Sequence, residues 1–186
     1  MAVVLVKALT INKLKNITPL SINKFFNIQI EKTMANTYSQ IYIQTVFIVE
    51  NRDCLLHKEW RDEAYKYMTG IVQNRGNKMI QIGGVADHVH LFVGLKPAES
   101  VADLMKWVKG ESSEWINDQK FLKQKFHWQA GYGAFSYGHS QIDGVCKYIQ
   151  NQEVHHKKVT FMEEYEGFLK IFDIPYEERY LFKPVL

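Results

Sequence analysis

Two histidines separated by one hydrophobe, His88-Val89-His90, sit inside the run Gly83-Gly84-Val85-Ala86-Asp87-His88-Val89-His90-Leu91-Phe92-Val93. An apolar stretch after a turn-forming Gly-Gly reads as a β-strand. Strand side chains alternate between faces, so His88 and His90 project to one side while Val89 and Leu91 project to the other. Two imidazoles side by side on a rigid support can hold a metal ion. An isolated His-x-His is more often polar decoration on the solvated face of a half-buried strand, so the pair needs partners from elsewhere in the chain.

The strongest candidates lie some sixty residues on. Gln141 to Lys157 reads as a helix with Ile142, Val145 and Ile149 along its apolar stripe. Tyr148 and Gln152 are four residues apart and therefore share a face, where a phenol and an amide oxygen would meet. His155-His156-Lys157-Lys158 at the helix end are read as cations that complement the macrodipole rather than as ligands.

The elements that must position these groups follow in a regular order. Tyr38 to Val49 is rich in β-branched and aromatic residues and reads as a first strand. His57 to Arg75 carries Trp60, Ala64, Tyr67, Met68, Ile71 and Val72 at helical spacing, with a turn at Asn74-Arg75-Gly76-Asn77. Lys78 to Gly83 is a second strand, so close to the histidine strand that the two should pair as an antiparallel hairpin. Ser100 is a candidate N-cap for a second helix that buries Val101, Leu104, Met105, Val108 and Trp115. Lys106 and Lys109 fall on a different face, one turn apart, and could reach a phosphate backbone.

Phe126 to Tyr137 mixes aromatics with Gly131 and Gly133 and reads as an irregular strand. Its rings suit either core packing or the stacking of unpaired bases. A last helix runs from Thr160 to about Lys170. The order β-α-β-β-α-β followed by a tyrosine-bearing helix predicts an α+β, ferredoxin-like sandwich: one central, mostly antiparallel sheet with helices packed on it.

Composition narrows the classes. A chain of 186 residues can bury one sizeable core, and it contains no apolar run long enough to span a bilayer. The expectation is a soluble, cytoplasmic protein with no membrane partner, whose two cysteines, Cys54 and Cys146, stay reduced. The net charge of +3 is not a polyanion signature, because residues 1–33 hold five lysines against Glu31 and leave the remainder at a net −1. Nucleic-acid binding by the main domain would have to come from local patches. Residues 1–33 differ in composition, with no arginine and a single serine, unlike a transit peptide. A true start at Met34 is the expectation, with residues 34–186 forming the domain.

Ala86-Asp87-His88-Val89-His90-Leu91, the stretch Trp128 to Ser136, and Tyr148-Ile149-Gln150-Asn151-Gln152-Glu153-x-His155-His156, in that order, together resemble the single-tyrosine HUH transposases that move bacterial insertion sequences as single strands. The resemblance spans roughly residues 34–165. It implies Tyr148 as nucleophile, His88, His90 and Gln152 as ligands of Mg²⁺ or Mn²⁺, and a covalent 5′-phosphotyrosine intermediate in cleaving and rejoining DNA. It further implies single-stranded DNA carrying a hairpin as the partner, and a homodimer whose sheets join. In such a dimer the tyrosine helix of one subunit can complete the site of the other. Lys106, Lys109 and the aromatic strand are the candidates for DNA contact. The alternative is a non-catalytic or domesticated protein that binds single-stranded DNA hairpins.

Overall fold

The computed structural model describes residues 38–53, 55–177 and 181. The expected division after residue 33, the start at Met34 and Cys54 lie outside the described residues. In chain order the elements are β1 (Tyr42–Ile48), α1 (Lys58–Asn74), β2 (Lys78–Gly84), β3 (His88–Gly94), α2 (Val101–Asp118), β4 (Gly133–Tyr137), α3 (Ile142–Gln150), α4 (Gln152–His155) and α5 (Phe161–Ile171). Short 3-10 turns at Glu50–Arg52 and His139–Gln141 precede α1 and α3.

The four strands form one antiparallel sheet in the order β2-β3-β1-β4. Each of the two helical crossovers, α1 and α2, skips one strand, and this pair of split βαβ units gives the expected α+β sandwich. β3 lies inside the sheet, with Val46 opposite His90 and Ile48 opposite His88 on β1. Gly83 stands opposite His90 on β2.

Alternation along these strands separates two cores. Val89, Leu91 and Val93 join Phe47 and Val49 under α1 and α2, where Trp60, Met68, Leu104, Met105, Val108 and Ile116 are buried. Ser100 caps α2 as expected, its hydroxyl accepting from the Asp103 amide at 3.0 Å. On the opposite face, Phe92 packs with Val145 and Ile149 of α3. Beside them Val46, Ile48 and Phe135 pack with Phe161, Tyr165 and Leu169 of α5. The sheet is thus covered on both sides.

Two glycines shape the site, one where the tyrosine helix meets β2 and one in the hairpin turn. A Cβ on Gly83 would lie 2.8 Å from the carbonyl oxygen of Ile149 and 2.9 Å from its Cγ2, so only glycine lets α3 settle this near β2. Gly84 has φ of 155° and a Cβ there would meet the His88 carbonyl oxygen at 2.2 Å, which ties the hairpin turn to glycine as well.

Two expectations change. The helix from Gln141 to Lys157 is interrupted at Asn151, where φ of −96° and ψ of 13° depart from helical values and the backbone N–H is shared between the Lys147 and Tyr148 carbonyls. The irregular strand expected over Phe126 to Tyr137 shortens to Gly133–Tyr137, and ahead of it Trp128 is buried against Phe47 and Phe126 against Trp128, the core packing that is one of the two readings for these rings. Among the described residues no helix is long and apolar enough to cross a membrane.

Candidate active site

His88 and His90 are both fully buried on the face covered by α3, α4 and α5, with ring centroids 5.1 Å apart. Each imidazole is held from behind. Nδ1 of His88 donates to Asp87 Oδ1 at 2.7 Å, and the side-chain amide of Gln44 lies 2.9 Å from Nδ1 of His90. Such outer partners orient a histidine and leave Nε2 as the atom facing the cavity.

The break at Asn151 does not separate Tyr148 from Gln152. Val145 and Ile149 bury the apolar face of α3, which turns Tyr148 toward His90 with ring centroids 5.9 Å apart. Gln152, 1 % exposed, places Oε1 3.2 Å from Nε2 of His88. Its short helix is clamped to α1 by the next residue, since Glu153 accepts from Arg61 and from Lys58, the latter at 2.7 Å. The four residues expected at the site, His88, His90, Tyr148 and Gln152, therefore meet within a single chain.

What they meet around was not expected. Glu164, 6 % exposed, accepts through Oε1 from the Tyr148 hydroxyl and from Gln152 Nε2 at 2.8 Å. Its Oε2 lies 3.6 Å from Nε2 of His88, 3.5 Å from that of His90 and 3.3 Å from that of His156. Nδ1 of His156 donates to the Val159 carbonyl at 2.9 Å, so this imidazole too points Nε2 at the carboxylate. Nε2 of His155 stands 3.6 Å from Oε1 on the open side.

Glu164 is delivered by the first turn of α5. Thr160 and Glu163 form a reciprocal capping box that starts the helix, and Phe161, Tyr165 and Leu169 bury its apolar stripe. The next residue after Glu163 falls on that inner stripe, near the positive end of the helix dipole. A carboxylate at an apolar position was the visible signal for it in the sequence. His156 gave a weaker one, because a histidine at a helix end is equally at home in solvent.

The site is electrostatically strained in a patterned way. Burial pushes the Tyr148 phenol upward, and the Glu164 charge and hydrogen bond push it further, so the hydroxyl stays protonated at neutral pH. Burial alone would raise Glu164, but the imidazoles of His156, His90 and His88 that face it outweigh burial and hold the carboxyl far below the usual range. Desolvation lowers His90 against the pull of Glu164; for His156 the carboxylate wins and the shift is upward. Nε2 of His90 and of His156 and Oε2 of Glu164 are buried without a hydrogen-bond partner. Ligand atoms of His88, His90, His156 and Glu164 all lie within 4.8 Å of one another, a donor set fit for a divalent cation.

The candidate DNA contacts stand apart from this cluster. Lys106 is exposed, with Nζ 6.0 Å from the ring centroid of Trp107, and the Arg75 guanidinium lies 5.1 Å from the same ring. Lys109 is partly buried and donates to the carbonyls of Gln129 and Gly131, both at 2.6 Å. Its desolvation pulls the ammonium down to about 8.

Comparison with known proteins gives the setting for these residues. Residues 37–152 match the family model described as Transposase IS200 like, more than half of the chain. The transposase for insertion sequence element IS200 of Salmonella typhimurium is 25% identical over 127 residues, spanning 66% of this chain and 83% of that protein; that of Salmonella typhi matches to the same extent. Among solved structures, a putative transposase from Deinococcus radiodurans superposes with a TM-score of 0.53 at 21% identity, covering 64% of this chain and 96% of its own. A REP-associated tyrosine transposase bound to a REP hairpin superposes with a TM-score of 0.51 at 14% identity, covering 68% and 74% of the two chains. Both share the fold of the sheet and its helices. The family match reaches Gln152 and stops short of His156 and Glu164. The chain belongs to the IS200-like transposase family.

Proposed function

We propose that the protein cleaves and rejoins single-stranded DNA at the ends of an insertion sequence through a covalent 5′-phosphotyrosine on Tyr148. The observation that supports this most is the meeting of the Tyr148 hydroxyl with a buried cluster of imidazoles and a carboxylate, in a chain of transposase descent. His88 and His90 would hold a divalent cation, Mg²⁺ or Mn²⁺, with Gln152 supplying an amide oxygen; Nε2 of His88 and Oε1 of Gln152 sit at the spacing of neighbouring ligands. When bound, the cation neutralises the anionic oxygens that otherwise repel a nucleophile.

The chain's own residues do the rest. Tyr148 Oη forms a bond to the scissile phosphorus as the bond to the 3′ oxygen breaks, which leaves a free 3′ hydroxyl on one fragment and the 5′ phosphate of the other on the enzyme. The hydroxyl proton leaves Tyr148 at attack and the departing 3′ oxygen takes one up, so the step is balanced in protons, and the burial that keeps Tyr148 protonated at rest also keeps the nucleophile silent without substrate. A phosphotyrosyl ester replaces a phosphodiester of similar energy, so a 3′ hydroxyl can reverse the step without ATP. The partner is single-stranded DNA with a hairpin, in keeping with the REP hairpin bound by the REP-associated relative. Lys106 and Lys109 contact its backbone, and the exposed Trp107 beside Lys106 and Arg75 offers a ring for a base. The working unit is a homodimer in the cytoplasm.

The test is a denaturing gel of protein incubated with end-labelled single strands from both flanks of its gene, with Mn²⁺ or with EDTA. A labelled band at the protein's mass, dependent on metal and absent in Tyr148→Phe, is the expected result. Hairpin binding of similar affinity in Mn²⁺ and EDTA, with no band in either, would favour a non-catalytic hairpin-binding protein instead.

A further inference from the structure

A buried carboxylate costs several kcal/mol of desolvation unless its oxygens are compensated, and the two oxygens of Glu164 differ in this respect. Oε1 is compensated, by the Tyr148 hydroxyl and the Gln152 amide. Oε2 accepts no hydrogen bond and yet faces three Nε2 atoms, of which those of His90 and His156 also lack a hydrogen-bond partner.

Separations of 3.3 to 3.6 Å are long for hydrogen bonds but match the edges of a coordination shell. Ligands about 2.1 to 2.4 Å from one ion stand about 3.0 to 3.4 Å apart at right angles and about 3.4 to 3.9 Å apart at tetrahedral angles, and the observed separations fall within these two ranges. The span of 4.8 Å across all four groups fits ligands on opposite sides of such an ion.

We propose that Glu164 is the anionic ligand of this metal site and, through its other oxygen, the residue that holds the nucleophile. One carboxylate then spans the ion and the Tyr148 hydroxyl, so that occupancy of the site and the placement of Tyr148 depend on the same side chain. His156 supplies a further imidazole. Three imidazoles beside the Glu164 carboxylate and the Gln152 amide favour a borderline ion such as Mn²⁺ over Mg²⁺, which prefers oxygen and keeps its water. The role in holding the nucleophile rests on the assignment of Tyr148 above; the role as ligand does not.

The experiment is a titration of full-length protein with Mn²⁺, reading free ion by electron paramagnetic resonance, beside the same titration with Mg²⁺ in competition. Wild type should bind one Mn²⁺ with at least a tenfold preference over Mg²⁺. Glu164→Gln, which keeps an acceptor for Tyr148 but loses the charge, should weaken Mn²⁺ at least thirtyfold. His156→Ala should weaken it about tenfold, whereas Tyr148→Phe should leave it within threefold. Wild-type Mn²⁺ affinity in a folded Glu164→Gln protein would overturn the proposal, as would Mg²⁺ binding as tightly as Mn²⁺. If Glu164→Gln melts below the assay temperature, Glu164→Asp carries the same test, because its shorter reach should also weaken the ion at least tenfold.

Positioning is read separately, at saturating Mn²⁺ and saturating hairpin DNA. Glu164→Asp should slow covalent attachment about a hundredfold while the DNA dissociation constant stays within twofold; an unchanged rate would overturn this half. Wild type that binds Mn²⁺ with the stated ligand dependence but never forms an adduct would refute the nucleophile assignment and leave the metal ligand standing.

Discussion

On the side of β3 covered by α1 and α2, Val89, Leu91 and Val93 enter a core of stacked and edge-on aromatics. On the side covered by α3, α4 and α5, the alternate residues His88 and His90 are equally buried but meet a glutamine, a glutamate and a third imidazole. One seven-residue strand serves both. The first side contributes cohesion through burial of apolar area. The second spends part of that cohesion on polar groups whose desolvation is only partly offset, a pattern common at functional sites. The chemistry is thereby confined to one face of the sheet, which carries apolar clusters around Phe92 and Phe135 as well, and along β3 substitutions one residue apart should differ in signature.

The largest contrast should come from His90 and its neighbour. His90→Ala should abolish metal-dependent attachment to DNA in the gel assay even at low temperature, where the variant stays folded although Glu164 loses one of the imidazoles that compensate it. Leu91→Ala, one residue on, should lower stability by about 2 to 5 kcal/mol in urea unfolding and leave attachment intact at low temperature. A loss of chemistry in Leu91→Ala without a loss of stability would break the comparison.

Gly83→Ala probes the seam between the strands and the tyrosine helix. The added methyl must displace Ile149, so α3 shifts, and we expect a destabilisation of about 1 to 3 kcal/mol together with a slower attachment step. Unchanged kinetics would mean that Tyr148 is not positioned through this contact.

The smallest effect concerns Lys109, outside the cluster around Glu164. Its ammonium loses its proton as pH rises through about 8, so any favourable contact with phosphate fades over that range. Hairpin affinity should fall a few-fold between pH 7 and pH 9 in wild type, and Lys109→Met should flatten that part of the profile by fluorescence anisotropy. A pH-dependent fall that persists in Lys109→Met would assign the contact elsewhere.

Much of this arrangement was legible in the sequence, for reasons that are local. The period of two put His88 and His90 on one face of β3, and the spacing of four put Tyr148 and Gln152 on one face of a helix. The Gly-Gly before the histidine strand marked the hairpin, and Ser100 marked the start of α2. What could not be read was tertiary. Nothing near Glu164 says that the first turn of α5 packs against β3, so a buried carboxylate looked like part of an ordinary amphipathic helix. His156 looked like a helix-end cation because its partner is that same glutamate. The break at Asn151 is a local change of backbone angle that the apolar spacing does not mark, and the capture of Lys109 by two carbonyls depends on the path of residues 129–131. Aromatic composition in residues 126–137 did not distinguish core from base-stacking surface, and the packing of Trp128 on Phe47 and of Phe126 on Trp128 decided for core at those two rings.

The central claim is that Tyr148 attacks DNA. Its most direct test is to trap the protein–DNA adduct with Mn²⁺, digest protein and DNA, and locate the nucleotide-bearing peptide by mass spectrometry. Attack by Tyr148 should give a single modified peptide, with a 5′-phosphate linked to Tyr148. A stable adduct on any other residue, or strand cleavage whose product is never joined to the protein, would contradict it.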